Sequence, residues 1–536
     1  MFFNGKKKLK EIRNNWTKPI IKFRNFDFIS YLHQIKKQQN NTEFVDDKTW
    51  KDLNLDDVFA ILDRNTSPVG QQYLYHLLHK YENDSELLNK RIKLAEYFKD
   101  NSEQRESIQI ELKRLDKNKA YFIAPLIYGK LPQKPRYYYL FFILSFSALI
   151  SFILTIFNNT FLFLTITIFL VNLFINHFYS KKIHQYFEGF SGLNLLLISA
   201  RNVSKLENPF ITQLTFLNKR LPLIKKLNKR IGSLVLDIAS TNEIFAMIAE
   251  YINIYFLYDL LKYCTSVGLL QKHQENIQEI FENIAQLDVA ISLASYLSSQ
   301  TKYSHPKFSN HSIISFEDVY HPLIPNAVSN SLEDLNSSLL ITGSNMSGKT
   351  TFIKTIGINI ILAQTLNFCL SKNATIPRLL IKSAINREED LENSKSYFFV
   401  EIEDLQNFIK LSESNSNYLF LIDEIFRGTN TVERLAASTT VLEYLDKNNF
   451  VFVTTHDIEL QELLNNKYKM FHFSEQVEDN NFYFDYKLRK GPTSSGNAIR
   501  LLEIKGYPSS IIKKSMLIIK KTYRHGQIHG GKNKNN

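Results

Sequence analysis

Between Arg136 and Lys181 the chain carries no Lys, Arg, Asp or Glu, so residues 137–180 form 44 consecutive uncharged positions. No other feature limits the fold so sharply, because a helix on the surface of a soluble domain keeps a polar stripe toward water. The stretch reads YYYLFFILSFSALISFILTIF, then a polar break at Asn158-Asn159-Thr160, then FLFLTITIFLVNLFINHFYS. It is too long for one crossing of a ~30 Å hydrocarbon layer, but each half supplies the about 20 helical residues that a crossing needs. The pattern predicts a two-helix transmembrane hairpin over 137–157 and 161–179, with a tight turn at the break.

Flanking charge orients the hairpin. Lys130, Lys134 and Arg136 precede it, Lys181 and Lys182 follow it, and the turn carries none. Positive residues stay on the cytoplasmic side, so both ends are expected there. The expectation is an inner (cytoplasmic) membrane protein with its N-terminus and C-terminal half in the cytoplasm. Tyr137 to Tyr139 and Tyr179 fall at the interface, where amphipathic rings are favoured. A second apolar stretch, 244–269, is interrupted by Glu250, Asp259 and Lys262 and predicts a packed helix instead.

The 536 residues leave room for three or four domains of roughly 150 residues each. A net charge of +12 points toward phosphate-bearing partners, either nucleic acid or anionic lipid, without choosing between them. Cys264 and Cys369 stand far apart, which excludes a disulfide scaffold and a Cys-rich zinc site. The N-terminal MFFNGKKKLKEIRNNW has a basic run without an apolar core after it, so no secretory signal is read.

Residues 1–40 are basic and are expected to be loosely ordered or to lie on a membrane surface. Apolar spacings of three and four predict helices over 41–130 and again over 181–300, two parts of an all-α core or lever domain that carries the hairpin. From 301 to 515 the runs HSIISFEDV, SSLLITG, YLFLIDE, FVFVTTH and NFYFDYKL alternate with helices and predict an α/β domain with a mostly parallel sheet. Residues 516–536 are expected to be the end of a helix and a basic tail.

The strand SLLITG runs into Gly343-Ser344-Asn345-Met346-Ser347-Gly348-Lys349-Thr350 and then into an apolar helix, which is the phosphate-loop pattern in its strand-to-helix context. Gly343 and Gly348 permit a tight loop whose N–H groups wrap phosphate oxygens at a helix N-terminus. Lys349 would reach the β and γ phosphates and the Thr350 hydroxyl a Mg²⁺ ion. The buried strand LFLI ends in Asp423-Glu424, placing Asp423 to hold the Mg²⁺ shell and Glu424 to polarise an attacking water. The strand FVFVTTH ends in His456, beside the acid pair, where it can sense a terminal phosphate.

With these residues the chain resembles the MutS family of DNA mismatch-repair ATPases, whose nucleotide domain is of the ABC type. GSNMSGKTTF is similar to the family's GPNMGGKST, LIDEIFRGTN to DEIGRGT, VTTHDIEL to ATHYHEL and SKSYFFVEIEDL to STFMVEM. YKLRKGPTSSGNAIRLLEIKGYP resembles its C-terminal stretch, LDRNTSPVG the start of its helical core domain and LDVAISLASYLSSQTKYSHPKF the end of that domain. The resemblance implies an ABC-type ATPase domain at 301–515. Its nucleotide would be held by Gly343, Asn345, Met346, Ser347, Gly348, Lys349, Thr350 and Thr351, and Mg²⁺ by Thr350 and Asp423. Glu424 and His456 would be catalytic, Tyr486 would lie against adenine, and Ser396 would reach the nucleotide of a second subunit. ATP and Mg²⁺ are thus the implied cofactors and a homodimer through the ATPase domains the implied assembly.

The departures matter equally. No text resembles the mismatch-reading domain with its Phe-x-Glu wedge or the connector domain, and the hairpin stands where the family's lever helices lead to a DNA clamp. Phe426-Arg427-Gly428-Thr429 replaces Gly-Arg-Gly-Thr, and Val432-Glu433 the Asp-Gly after it. The implied function is an ATP-dependent DNA-binding, mismatch-repair-related ATPase anchored in the membrane, with DNA as a possible partner. The alternative is a membrane-bound ABC-type scaffold acting on a protein. A transporter fits poorly, since the spans carry no charged pathway residues and no Leu-Ser-Gly-Gly-Gln signature is present. A nuclease would need a further C-terminal domain that the last 20 or so residues do not supply.

Overall fold

The computed structural model describes residues 2–39, 42–206, 208, 211–232, 243–344, 346–385, 397–414, 416–427, 429–478, 481–492, 499, 502–503 and 506–518. The chain divides into two compact units, one of residues 1–44 and 59–301, the other of residues 45–58 and 302–536.

Described residues of the first unit are almost entirely helical. Its core is built on the helix Gln274–Ser298, whose Ile277, Ile280, Ile284, Leu287 and Ile291 recur at three and four residue spacing and are buried. Pro68–His79 and Ser85–Asp100 pack on it. Each starts where a side chain takes up orphan N–H groups: Ser67 accepts from Gly70, and Asp84 from Glu86 and Leu87. Asp288, fully buried, ties the turn before Pro68 to this core. It accepts from Thr66 N at 2.9 Å, Ser67 N at 2.8 Å and Ser67 Oγ at 2.6 Å.

The uncharged stretch forms the helix Tyr138–Phe157, a short 3₁₀ turn at Asn159–Phe161 and the helix Leu162–Val203. Asn158 closes the turn by accepting from Thr160 N at 3.0 Å and Thr160 Oγ1 at 2.9 Å. Two segments, Tyr138–Phe157 and Asn159–Tyr179, are long and apolar enough to cross a membrane, and only 17 % and 6 % of their most apolar windows are buried. The second helix does not stop at 179 but continues 24 residues into the unit's core, with Leu193, Leu196, Leu197 and Ala200 buried.

Three expectations are revised in this unit and its neighbour. Residues 1–40 are not a loose segment: Phe2–Asn15 and Phe26–Gln39 are helices, Ile29 and Leu32 are fully buried, and Arg24 binds Asp63 at 2.9 Å. Residues 45–58, expected in the helical core, belong to the second unit. The stretch 244–269 is two helices, Glu243–Phe256 and Tyr258–Lys272, broken at Leu257 in the left-handed conformation (φ 49°).

The second unit is α/β. Its main sheet has β1 (Leu339–Thr342), β2 (Leu380–Ala384), β3 (Tyr418–Asp423), β4 (Phe450–Thr455), β5 (Lys469–His472) and β6 (Arg489–Lys490), in the spatial order β6-β5-β1-β4-β3-β2. All neighbours are parallel except β6 and β5. Strands β1 and β4 are wholly buried, as a sheet covered on both faces requires. The helix Lys349–Leu366 packs on one face, where a Cβ on Gly357 would lie 2.6 Å from Leu421 Cδ1. The predicted strand in HSIISFEDV joins a separate four-stranded sheet as Ile314–Val319, and Asn481–Phe484 forms an antiparallel pair with Glu475–Glu478.

Candidate active site

Strands β1, β4 and β3 are adjacent, and their C-terminal ends deliver three pieces of sequence to one edge. Thr342 pairs with Thr455 and Thr454 with Asp423, so the glycine loop after β1, His456 after β4 and the acid pair at the end of β3 converge. In an open parallel sheet this edge is where a crevice forms.

The loop requires its glycines. Gly343 has φ 145° and Gly348 φ 106°, and a Cβ on Gly343 would stand 2.6 Å from the Phe473 carbonyl oxygen. Ser347 Oγ donates to Ser344 O at 2.8 Å, and Met346 turns outward, 85 % exposed. The helix begins directly at Lys349, so its unpaired N–H groups and positive dipole end face the loop.

Lys349 is buried and its Nζ donates to Gly343 O at 2.9 Å and Ser344 O at 2.7 Å, lying 3.4 Å from His456 Nε2. Burial pulls its pKa down to about 8, outweighing the raising effect of Glu424 and Asp423. Thr350 Oγ1 donates to Asp423 Oδ2 at 2.9 Å, and Thr454 Oγ1 donates to Asp423 Oδ1. Glu424 Oε1 is 2.8 Å from His456 Nε2 and its Oε2 3.0 Å from Arg427 Nε. The hydrogen bond to His456, and then the nearby positive charge of Arg427 and Lys349, hold the Glu424 carboxyl below its ordinary range. It is therefore anionic at neutral pH, as a base must be. A backbone φ of 54° aims this side chain, fixed by its N–H donating to Thr454 O at 3.0 Å.

A cavity of about 580 Å³ opens beside the loop, bordered by Ser347, Thr351, Val328, Glu424, Phe473 and Tyr486. That is the size of a cofactor pocket. Tyr486 leans over the loop, 3.3 Å from where a Gly348 Cβ would be, and its carbonyl accepts from Asn330 Nδ2 at 3.0 Å. The donor set fits Mg²⁺: a hydroxyl and a carboxylate, both hard oxygen donors, already meet at Thr350 and Asp423.

Gly343, Met346, Ser347, Gly348, Lys349, Thr350, Thr351, Asp423, Glu424, His456 and Tyr486 are thus gathered around one crevice. Asn345 and Ser396 lie outside the described residues. Sequence reasoning assigned no role to Thr454, Arg427, Phe473 or His321, which all join the site. Thr454 could have been found, since a strand residue two before His456 shares its edge. Phe473 carries no signal in its own text. His321 lines the same cavity, its pKa pushed down to about 4 by burial.

Residues 339–522 match the family MutS domain V. The DNA mismatch repair protein MutS of Fusobacterium nucleatum is 26 % identical over 278 residues, 49 % of this chain and 30 % of that protein. That of Thermus thermophilus is 28 % identical over 254 residues, 46 % and 31 % respectively, and that of Streptococcus pyogenes 28 % over 262 residues, 46 % and 30 %. The chain matches less than a third of the length of these curated relatives. The resemblance read from the motifs holds over residues 339–522.

Proposed function

We propose, from the premise that residues 339–522 carry a MutS-type domain V, that the chain binds ATP with Mg²⁺ and hydrolyses it, coupling the cycle to a DNA-related task at a membrane. One observation carries the reading: the loop lysine, the Thr350–Asp423 pair and the Glu424–His456 pair meet at the ends of three adjacent strands. The loop N–H groups and Lys349 bind the phosphates, Lys349 exchanging two loop carbonyls for phosphate oxygens. Mg²⁺, held by Thr350 and Asp423, would neutralise charge on the β and γ oxygens. Glu424, anionic, orients a water and accepts its proton, and His456, bonded to Glu424, reports on the terminal phosphate. Tyr486 flanks the base.

Assembly and location belong to the same proposal. Dimerisation through the ATPase domains, with Ser396 reaching across, rests on the family resemblance. Anchoring by the hairpin in a cytoplasmic membrane, with the N-terminus and ATPase in the cytoplasm, rests on two largely unburied apolar helices and their flanking cations.

The test is ATP turnover by the detergent-solubilised full chain with homoduplex, mismatched and branched DNA. Glu424→Gln should lower turnover by about 10²-fold or more while ATP binding persists; unchanged turnover in both Glu424→Gln and Lys349→Ala would refute the active site. Equal rates with all three DNAs would remove mismatch sensing. Absence of duplex binding even at low salt would remove DNA altogether and favour the scaffold reading, in which Glu424→Gln captures a protein partner.

A further inference from the structure

We propose that the helix Glu243–Phe256 is a third membrane-inserted element, docked along the hairpin with its outer face against lipid acyl chains. The inference rests on the hairpin being in the membrane. Its sequence failed the test for a span, yet its contacts put it at the depth of one.

The Tyr255 ring stands 6.2 Å and the Tyr251 ring 6.5 Å from that of Phe169. Tyr255 OH donates to Ala148 O at 2.9 Å and lies 3.0 Å from Ser151 Oγ, and fully buried Asn172 donates to Tyr255 O at 2.6 Å. These partners stand about seven to eleven residues from the turn at Asn158–Phe161, which at 1.5 Å per residue is about 10–17 Å, half the depth of a ~30 Å hydrocarbon layer. A helix fixed there by the hairpin's own side chains is immersed wherever the hairpin is.

The outward residues suit that surrounding. Met247, Ile248, Tyr251 and Ile252 are each about half exposed and recur at the i, i+1, i+4, i+5 spacing of one helix face. Phe146, Ile150 and Leu170 on the hairpin are likewise uncovered apolar side chains. Hydrogen bonds of the kind that hold helices together in lipid link the elements: Thr155 with Thr165 at 2.7 Å, Ser151 with Tyr255, and Asn172 Nδ2 with a helix-end carbonyl.

The break at Leu257 obeys the same rule. Non-helical backbone at membrane depth survives only when protein covers it. Leu257 is fully buried, Asn172 takes up the carbonyl of Tyr255, and Asn253 accepts from Asp259 N at 2.9 Å while donating to Asp259 Oδ2 at 2.7 Å. Glu250, exposed, stands five residues, about 8 Å along the helix, from Tyr255 and so away from the bilayer centre where a charge costs most.

The experiment places an environment-sensitive fluorophore at Phe146→Cys, Ile248→Cys or Glu86→Cys in the full chain. The two native cysteines are buried. The protein is reconstituted into phosphatidylcholine–phosphatidylglycerol vesicles and quenched with acyl-brominated lipid or aqueous iodide. The labels at 146 and 248 should both lose at least half their emission to brominated lipid and be several-fold less sensitive to iodide than the label at 86. Should the 146 label respond to brominated lipid while the 248 label behaves like the 86 label, the third element is overturned and the hairpin stands. Should neither respond, the membrane reading falls, and the inference with it.

Discussion

Lys349 is buried against two loop carbonyls with its pKa lowered to about 8 from the ordinary 10.5, so phosphate binding near and above that pH should take up a proton. Below pH 8 the amine is charged and ready. Above it the free site is neutral, whereas a bound triphosphate restores the charge. Nucleotide affinity should therefore be flat below about pH 8 and fall toward tenfold per pH unit above it, until the pKa of the bound state is reached. Calorimetric titration near pH 8 in two buffers of different ionisation enthalpy should register net proton uptake; a binding heat independent of buffer would contradict it. Thr454 offers a second check. Its hydroxyl holds Asp423 Oδ1 while Thr350 holds Oδ2. Thr454→Val should raise the Mg²⁺ concentration for half-maximal hydrolysis by about 10–100-fold, the usual effect of losing a group that orients a metal ligand, and leave Mg²⁺-free nucleotide binding unchanged.

Among the elements, the helix Pro68–His79 is fixed by its third residue. A Cβ on Gly70 would lie 2.4 Å from Asp288 Oδ2 and 2.7 Å from Asn65 Oδ1, and Asp288 cannot retreat without losing hydrogen bonds from Thr66 and Ser67. Gly70→Ala should destabilise the helical unit by about 2–3 kcal/mol, more than its gain in helix propensity returns; a urea midpoint equal to the parent's would show that the turn is softer than drawn. This glycine was legible in LDRNTSPVG, and so were the parallel strands, since apolar runs ending in polar signatures are contiguous text. What stayed hidden depends on distance. The lysines of the first 15 residues suggest a solvated segment, yet Arg13 binds Glu106 at 2.9 Å, a partner 93 positions away. Residues 45–58 read as helix but do not say which unit they join, a choice made by contacts such as Asp52 Oδ2 accepting from Ser383 Oγ at 2.7 Å. The break at Leu257 has neither Gly nor Pro to announce it. Within the crevice the loop, acids and histidine were readable, whereas Phe473 and His321 enter from strand ends remote in sequence.

For the whole molecule, the proposed membrane anchor and the proposed ATP-dependent dimer would reinforce each other. Chains confined to one membrane meet at an effective concentration far above that of the same chains free in solution, so an interface too weak to persist in solution suffices at a membrane. On the proposed anchoring, part of the +12 charge would lose its apparent meaning, because Lys130, Lys134 and Arg136 flank the hairpin and would be accounted for by anionic headgroups before any nucleic acid is invoked. Dimerisation should then depend on both ATP and context. In detergent at low micromolar protein, Glu424→Gln with MgATP should sediment as a dimer, because the closed state forms and cannot be hydrolysed away, while the parent chain with MgADP sediments as a monomer. In vesicles, energy transfer between labelled parent chains should rise with MgATP at surface densities corresponding to bulk concentrations about tenfold or more below those needed in detergent. A Glu424→Gln chain that stays monomeric with MgATP up to tens of micromolar in detergent, and shows no ATP-dependent transfer in vesicles, would separate hydrolysis from assembly and leave the ATPase working as a single subunit.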